Sequence, residues 1–205
     1  CASCNGMNVR EQGLGVRSLV RILTQGLPNA RVGIVEGRKT QTLSLEQANL
    51  VIGGTGILSQ VWGGEYGLAV MISPDNDLAL TDYRTAEEVW SVANHFLSCI
   101  PSLVVQTRQP EHRVWQSLKQ NNRKVFYTTE LEQRSQFGYP PAMNLLRLTL
   151  QGKDREQVLA EMKKMLSVIS DQVKVASVTV TGPYPDYYQQ VRGKYRFHLL
   201  LRYGL

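Results

Sequence analysis

Three stretches of this sequence hold residues whose types and spacing could do chemistry. Cys1 and Cys4 form a CxxC pair, two thiols suited to a shared metal ion or to redox exchange. LVIGGTGILSQVWGG, residues 50–64, runs an apolar segment into glycines, as in turns that cradle phosphates. Arg192-Gly193-Lys194-Tyr195-Arg196 sets three cations and a ring within five residues. Such a segment can neutralise phosphates while the tyrosine stacks on a base.

Each stretch has a plainer alternative. Tetrahedral zinc takes four ligands, so Cys1 and Cys4 are half a site; His95, His112 and His198 show no ligand spacing to them. The chain opens on Cys1 rather than a methionine, so it is expected to belong to something longer, with the remaining ligands upstream. Cys99, in HFLSCIP, reads as a core residue. Gly53–Gly56 reads first as a structural turn, since glycines there supply positive φ, with residual nucleotide contact at Gly54 and Thr55 as the alternative. The Arg192–Arg196 segment could equally be a solvated strand entry. Tyr184, Tyr187 and Tyr188 either extend a stacking surface or rim a small core. Asp82, Tyr83 and Arg84 are either a contact site or a helix cap with a surface ion pair. Trp62, Trp90 and Trp115 read as packing residues, and Tyr139-Pro140-Pro141 as a domain-boundary clip.

The elements that must position these residues follow from periodicity. VRSLVRILTQG (16–26) has helical spacing; ARVGIVEG, ANLVIGG, GLAVMIS and SLVVQT read as short apolar strands. Such strands interleaved with helices suit a buried parallel sheet in an α/β layer. TAEEVWSVANHFLSC has helical period, with Thr85 and Glu88 in capping-box spacing. Residues 110–136 are polar, basic and helical in pattern, resembling a connecting arm more than a core, and FGYPP ends them. Then NLLRLTLQG alternates as a strand. Asp154 can cap a helix whose apolar face is Val158, Leu159, Met162, Met165, Leu166 and Ile169. VKVASVTVTG and YRFHLLLRY supply two more strands. Strand–helix–strand–strand predicts a small α+β sandwich with the helix on one face of an antiparallel sheet.

Bulk properties bound the function. Across 205 residues, 42% are hydrophobic and 20% charged, an ordinary globular composition. No apolar run approaches the roughly 20 residues a bilayer span needs, and a cytoplasmic location without membrane contact is expected. The formal charge of +6 is uneven: residues 1–103 carry 7 basic and 9 acidic side chains, residues 104–136 carry 6 and 3, and residues 137–205 carry 10 and 5. Positive charge gathers in the C-terminal half, which favours a polyanionic partner there.

In order, these landmarks resemble the C-terminal half of the primosomal replication-restart helicases, the primosomal protein N′ or PriA family. The family's last CxxC pair, G-x-G turn and ARV step correspond to Cys1–Cys4, Gly13-Leu14-Gly15 and LPNARVGIVEG. Its motif V and DFR-x-AER signature correspond to LVIGGTGILSQVWGG and DYRTAEE (82–88). Its ELGYPP box and closing motif correspond to QFGYPP (136–141) and GPYPDYYQQVRGKYRFHLLL (182–201). The similarity covers essentially the whole chain.

The resemblance implies DNA binding, partners among replication-restart proteins, and zinc in the intact protein through Cys1 and Cys4. It also implies a helicase lobe, from which the chain departs. Gly54 and Thr55 survive, but Gln60-Val61-Trp62-Gly63 replaces the polar step of motif V. SVANHFLSCIPSLVV stands where the family places QVAGRAGR. The family's arginines reach the γ-phosphate, where cationic stabilisation is worth several powers of ten in rate.

The expected fold is therefore α/β. A zinc-insertion remnant (1–8) and a degenerate, partial RecA-like lobe with a parallel sheet (9–107) lead to a helical arm (108–136). An α+β C-terminal DNA-binding domain (137–205) follows. The expected function is binding of branched or single-stranded DNA at stalled forks through Arg192, Lys194, Tyr195 and Arg196, without ATP hydrolysis by this lobe. An ATP-dependent 3′-to-5′ helicase in the full-length protein, and a protein-interaction module without DNA binding, are the alternatives.

Overall fold

The computed structural model describes residues 15–36, 39–40, 47–59, 66–80, 82–172 and 178–204. Two compact units divide between Phe126 and Tyr127.

The first unit is mixed α/β. Helix α1 (Val16–Gly26) leads to β1 (Val32–Glu36), which pairs antiparallel with β2 (Lys39–Thr40) and parallel with β3 (Leu50–Gly53). A separate parallel pair joins β4 (Ala69–Ile72) to β5 (Leu103–Gln106). Between these strands lie the one-turn α2 (Asp75–Leu78) and α3 (Thr85–Cys99). The described strands thus make two small sheets instead of the single parallel sheet expected of a RecA-like lobe. Helices α4 (Arg113–Lys119) and α5 (Arg123–Gln136) follow, and α5 continues across the boundary into the second unit.

The first core lies on α3. Val89, Trp90 and Ala93 pack with Val114, Trp115 and Phe126, and Met71, Leu103 and Val105 of β4 and β5 close over them. Trp90 and Trp115 are thus the packing residues expected, and the stretch expected as a connecting arm adds Val114 and Phe126, which were not. Its overall polarity hid them, because a short helix needs few apolar positions to bury one face. Trp90 Nε1 donates to Ser117 Oγ at 2.9 Å, satisfying a polar tip that burial would otherwise penalise.

Two local expectations are corrected. Thr85 is inside α3 and buried, and it makes no capping bond. Arg84 holds the N-cap position without a side-chain capping bond, and Asp82 shapes the turn before it: its Oδ1 accepts from the Arg84 amide at 2.9 Å, its carbonyl accepts from the Thr85 amide, and its carboxylate meets the Arg84 side chain at 3.3 Å. Cys99, expected in the core, is exposed at the C-terminal end of α3.

The second unit is the expected sandwich. Strand β6 (Asn144–Gly152), helix α6 (Arg155–Gln172), strand β7 (Val178–Val191) and strand β8 (Lys194–Tyr203) form an antiparallel sheet of order β6-β8-β7 with α6 against it. Val158 and Met162 of α6 meet Phe197 and Leu199 of β8, flanked by Leu148 and Leu150 of β6. Met165, assigned to the same helix face, is 37% exposed. Strand β7 is longer than expected, for it continues through GPYPDYYQQ with irregularities between Thr181 and Tyr184 and between Pro185 and Gln190. Prolines are tolerated there because β7 is an edge strand.

Asp154 caps α6, its Oδ1 accepting from the amides of Glu156 at 2.8 Å and Gln157 at 3.0 Å. Asp154→Ala is expected to lower stability by about 1 kcal/mol, read as a lower urea midpoint with an unchanged slope.

Candidate nucleic-acid interface

Arg192 and Gly193 form the two-residue turn between β7 and β8, closed by the Val191–Lys194 pair. Their φ angles are +52° and +73°, the pattern of a type I′ hairpin, which favours Asn-Gly. An arginine in this left-handed conformation is uncommon, so a cation occupies the tip where backbone preference selects something else. Arg192 and Lys194 are both exposed.

Strand alternation then divides the segment. Successive side chains on β8 point to opposite sheet faces. Tyr195 shares the parity of Phe197 and Leu199, which pack toward α6. Lys194 and Arg196 lie on the helix-free face. The tyrosine expected to stack beside these cations is thus separated from them by the sheet.

The register assembles other residues on the helix-free face. Arg196 pairs with Gln151, His198 with Thr149 and Tyr184, and Leu200 with Arg147 and Thr181. Arg196 Nε donates to Gln151 Oε1 at 3.3 Å, and its Nη1 lies 3.8 Å from Asp186 Oδ2. Thr149 Oγ1 and His198 Nδ1 are 2.9 Å apart, and His198 Nε2 is 3.6 Å from the same Asp186 oxygen. The Tyr184 and His198 rings are tilted by 52° with centroids 6.0 Å apart. At the far end, Arg202 lies over the Tyr139 ring at 5.3 Å, so the Tyr-Pro-Pro segment covers that corner of this sheet.

Burial holds the His198 imidazole below its usual range; Asp186 opposes this, and Arg147 and Arg196 reinforce it. The ring is accordingly neutral at pH 7. Burial also raises the Tyr184 phenol, against the pull of Arg147 and Arg202. These mutual influences place Arg147, Arg196, Arg202, Tyr184 and His198 in one electrostatic neighbourhood. The sequence reading singled out neither Arg147 nor Arg202, because nothing local distinguishes one strand arginine from another.

Gly54 and Thr55, the weaker candidates, follow β3. Thr55–Ser59 is a short 3-10 turn with the Ile57 amide donating to the Gly54 carbonyl. Neither Gly53 nor Gly54 has positive φ, contrary to the reason given for glycines at this turn. Gly53 answers to packing instead: a Cβ there would stand 2.8 Å from the Val35 carbonyl oxygen of the paired strand. Cys1, Cys4 and Trp62 lie outside the described residues. Among the described residues, no three His, Cys, Asp or Glu side chains are grouped to hold a metal, and no helix is long and apolar enough to cross a membrane.

Comparison with known proteins bears on the whole chain. Residues 135–205 match the family described as primosomal protein N C-terminal domain. Replication restart protein PriA of Synechocystis sp. is 24% identical over 99% of this chain and 26% of its own length. The PriA of Chlamydia pneumoniae is 23% identical over 98% of this chain and 29% of its own. That of Bacillus subtilis is 22% identical over 99% and 27%. The chain thus spans between a quarter and a third of the length of these curated relatives. Over residues 135–205 the chain thus resembles the primosomal protein N C-terminal domain, and over nearly its whole length it is similar to replication restart protein PriA.

Proposed function

We propose that this chain is a DNA-binding and assembly module of a replication-restart protein, in which a reduced helicase lobe supports a basic C-terminal domain. The observation that carries the reading is the charge layout of the second unit. Its three strands hold Arg147, Lys194, Arg196 and Arg202 against one acid, Asp186, and Arg192 caps the hairpin. Helix α6 balances Arg155, Lys163 and Lys164 with Glu156, Glu161 and Asp171. The excess of cations therefore belongs to the sheet and its hairpin, as phosphate contacts would require.

The first unit would serve as scaffold. Residues 85–106, where arginines would reach a nucleotide, contain no arginine or lysine, and Trp90 and Ala93 there are core residues. We read its two parallel strand pairs as what remains of a helicase lobe, and the missing cations as the reason this lobe does not itself drive ATP hydrolysis. Zinc at Cys1 and Cys4, with two further ligands, belongs to the same proposal, as do contacts with other replication-restart proteins.

The test is fluorescence anisotropy of a labelled three-way fork and a matched single strand, titrated with this chain over a range of salt. Changing Arg192, Lys194 and Arg196 together to alanine is expected to weaken binding about 10–100-fold at low salt and to reduce the logarithmic salt slope by about 2, since each phosphate contact contributes about 0.7–0.9 and Arg196 is already shared with Asp186. Absence of binding by the unmodified chain at low salt would refute the reading and leave protein–protein assembly.

A further inference from the structure

We infer that the helix-free face of the C-terminal sheet is a platform for an unpaired DNA strand, with Tyr184 stacking on a base between phosphates held by Arg196 and Arg147. This rests on the DNA-binding reading above. It adds which face is used and which form of DNA is preferred.

The face is built differently from an ordinary solvated sheet surface. Such surfaces mix both signs of charge, whereas here the strands offer Arg147, Lys194 and Arg196 against one carboxylate, with Arg202 set over the Tyr139 ring. That carboxylate, Asp186, is turned onto Arg196 and His198 at 3.8 and 3.6 Å, which orients the arginine. Arg147, Thr149 and Gln151 are exposed along β6, and Tyr184 is half-buried on β7. Cations thus stand at two heights, with a ring at an intermediate one.

The cross-strand register sets those heights. Arg196 and Gln151 form one row; Thr149, His198 and Tyr184 form the next; Arg147, Leu200 and Thr181 form the third. Rows on one face are two residues apart, so Arg196 and Arg147 are about 13 Å apart along the strands, and the Tyr184 row lies midway. His198 stands in this middle row between Thr149 and Tyr184 and fixes it. It is 5% exposed, bonded to Thr149, and its ring packs at a tilt against Tyr184. A base can stack on Tyr184 once it is free of its own duplex stack, which is why aromatic and cationic platforms of this kind favour single strands. Duplex DNA would offer the same cations its phosphates but would leave the ring idle.

The experiment measures anisotropy of a labelled 12-nucleotide thymidine strand and of a 12-base-pair duplex against the unmodified chain and its Tyr184→Ala, Tyr184→Phe and Arg147→Ala variants. Thermal unfolding by circular dichroism accompanies each. The single strand is expected to bind more tightly than the duplex. Tyr184→Ala should weaken it about 5–100-fold and Tyr184→Phe less than about twofold, the range expected for loss or retention of one stacked base. Arg147→Ala should lower the single-strand salt slope by about 0.7. Arg147 is exposed, so its variant remains informative if Tyr184→Ala unfolds.

Equal or tighter binding of the duplex would overturn the platform. So would single-strand binding indifferent to Tyr184→Ala and Arg147→Ala but abolished by the Arg192, Lys194 and Arg196 triple change; DNA binding would then stand, confined to the hairpin. No binding of either DNA at low salt would overturn both.

Discussion

Gly182→Ala is expected to destabilise the C-terminal sheet by roughly 3–5 kcal/mol, combining backbone strain with overpacking. Gly182 has φ of +121° and sits where β7 leaves regular register with β8. A Cβ there would stand 2.6 Å from the His198 carbonyl oxygen and 3.0 Å from Leu199 Cδ2. Neither can retreat. Strand β8 is the central strand of the sheet, and Leu199 is fully buried against α6. The loss would take a large share of the stability of an ordinary domain, about 5–15 kcal/mol, and DNA binding should fall with it. Gly193→Ala is the control. Its φ of +73° also disfavours a side chain, but no atom lies within 4 Å of its Cβ position, so about 1 kcal/mol is expected. Urea unfolding followed by circular dichroism separates the two; equal midpoints would mean that β7 and β8 do not approach as closely as described.

Trp90→Ala should have a comparable effect in the first unit. Trp90 is 3% exposed and stacks on Phe126 with ring centroids 4.9 Å apart and planes within 8°. Removing it should lose about 3–5 kcal/mol for the cavity it leaves, including about 0.5–1.5 for the ring pair. Trp90→Phe keeps a ring but withdraws the donor that Ser117 Oγ accepts. Ser117 still donates to the Val114 carbonyl at 2.9 Å, so the expected loss is nearer 1 kcal/mol. Chemical denaturation of the two variants tests this order. Similar small losses in both would mean that α3, α4 and α5 are held by something other than this stack.

The same residues explain why residues 85–106 carry no arginine or lysine. In α3 the positions facing Val114, Trp115 and Phe126 are Val89, Trp90 and Ala93. An arginine turned inward there would bury an unpaired charge, which is costly without a partner. The stretch is suited to a packed helix bearing the weight of a scaffold, in keeping with the proposal that nucleotide chemistry is not its task.

Much of the fold was legible before any coordinates. The 3.6-residue period of α6, the alternation of β6 and the Asp154 cap are short-range patterns that stand complete within one window of sequence. The gathering of cations toward the C-terminus was equally plain from counting. Strand β7 was legible only in its first residues, because Pro183 and Pro185 argue against a strand until its edge position is known. The division of Arg192–Arg196 between two sheet faces follows from alternation alone, yet it becomes decisive only when α6 is known to cover one of those faces.

The sequence by itself therefore determined the strand–helix–strand–strand order of the C-terminal unit, the apolar face of α6 and the basic character of that unit. Each depends on residues a few positions apart. Tertiary structure decided that Arg147 and Arg196, 49 positions apart, flank the row of Tyr184 and that His198 is buried within that row. It also decided that Val114 and Phe126 join Trp115 in a core. Those outcomes rest on register and on which strand stands at the edge. Both are set by distant partners competing for the same hydrogen bonds and apolar surface, and no local window contains that competition.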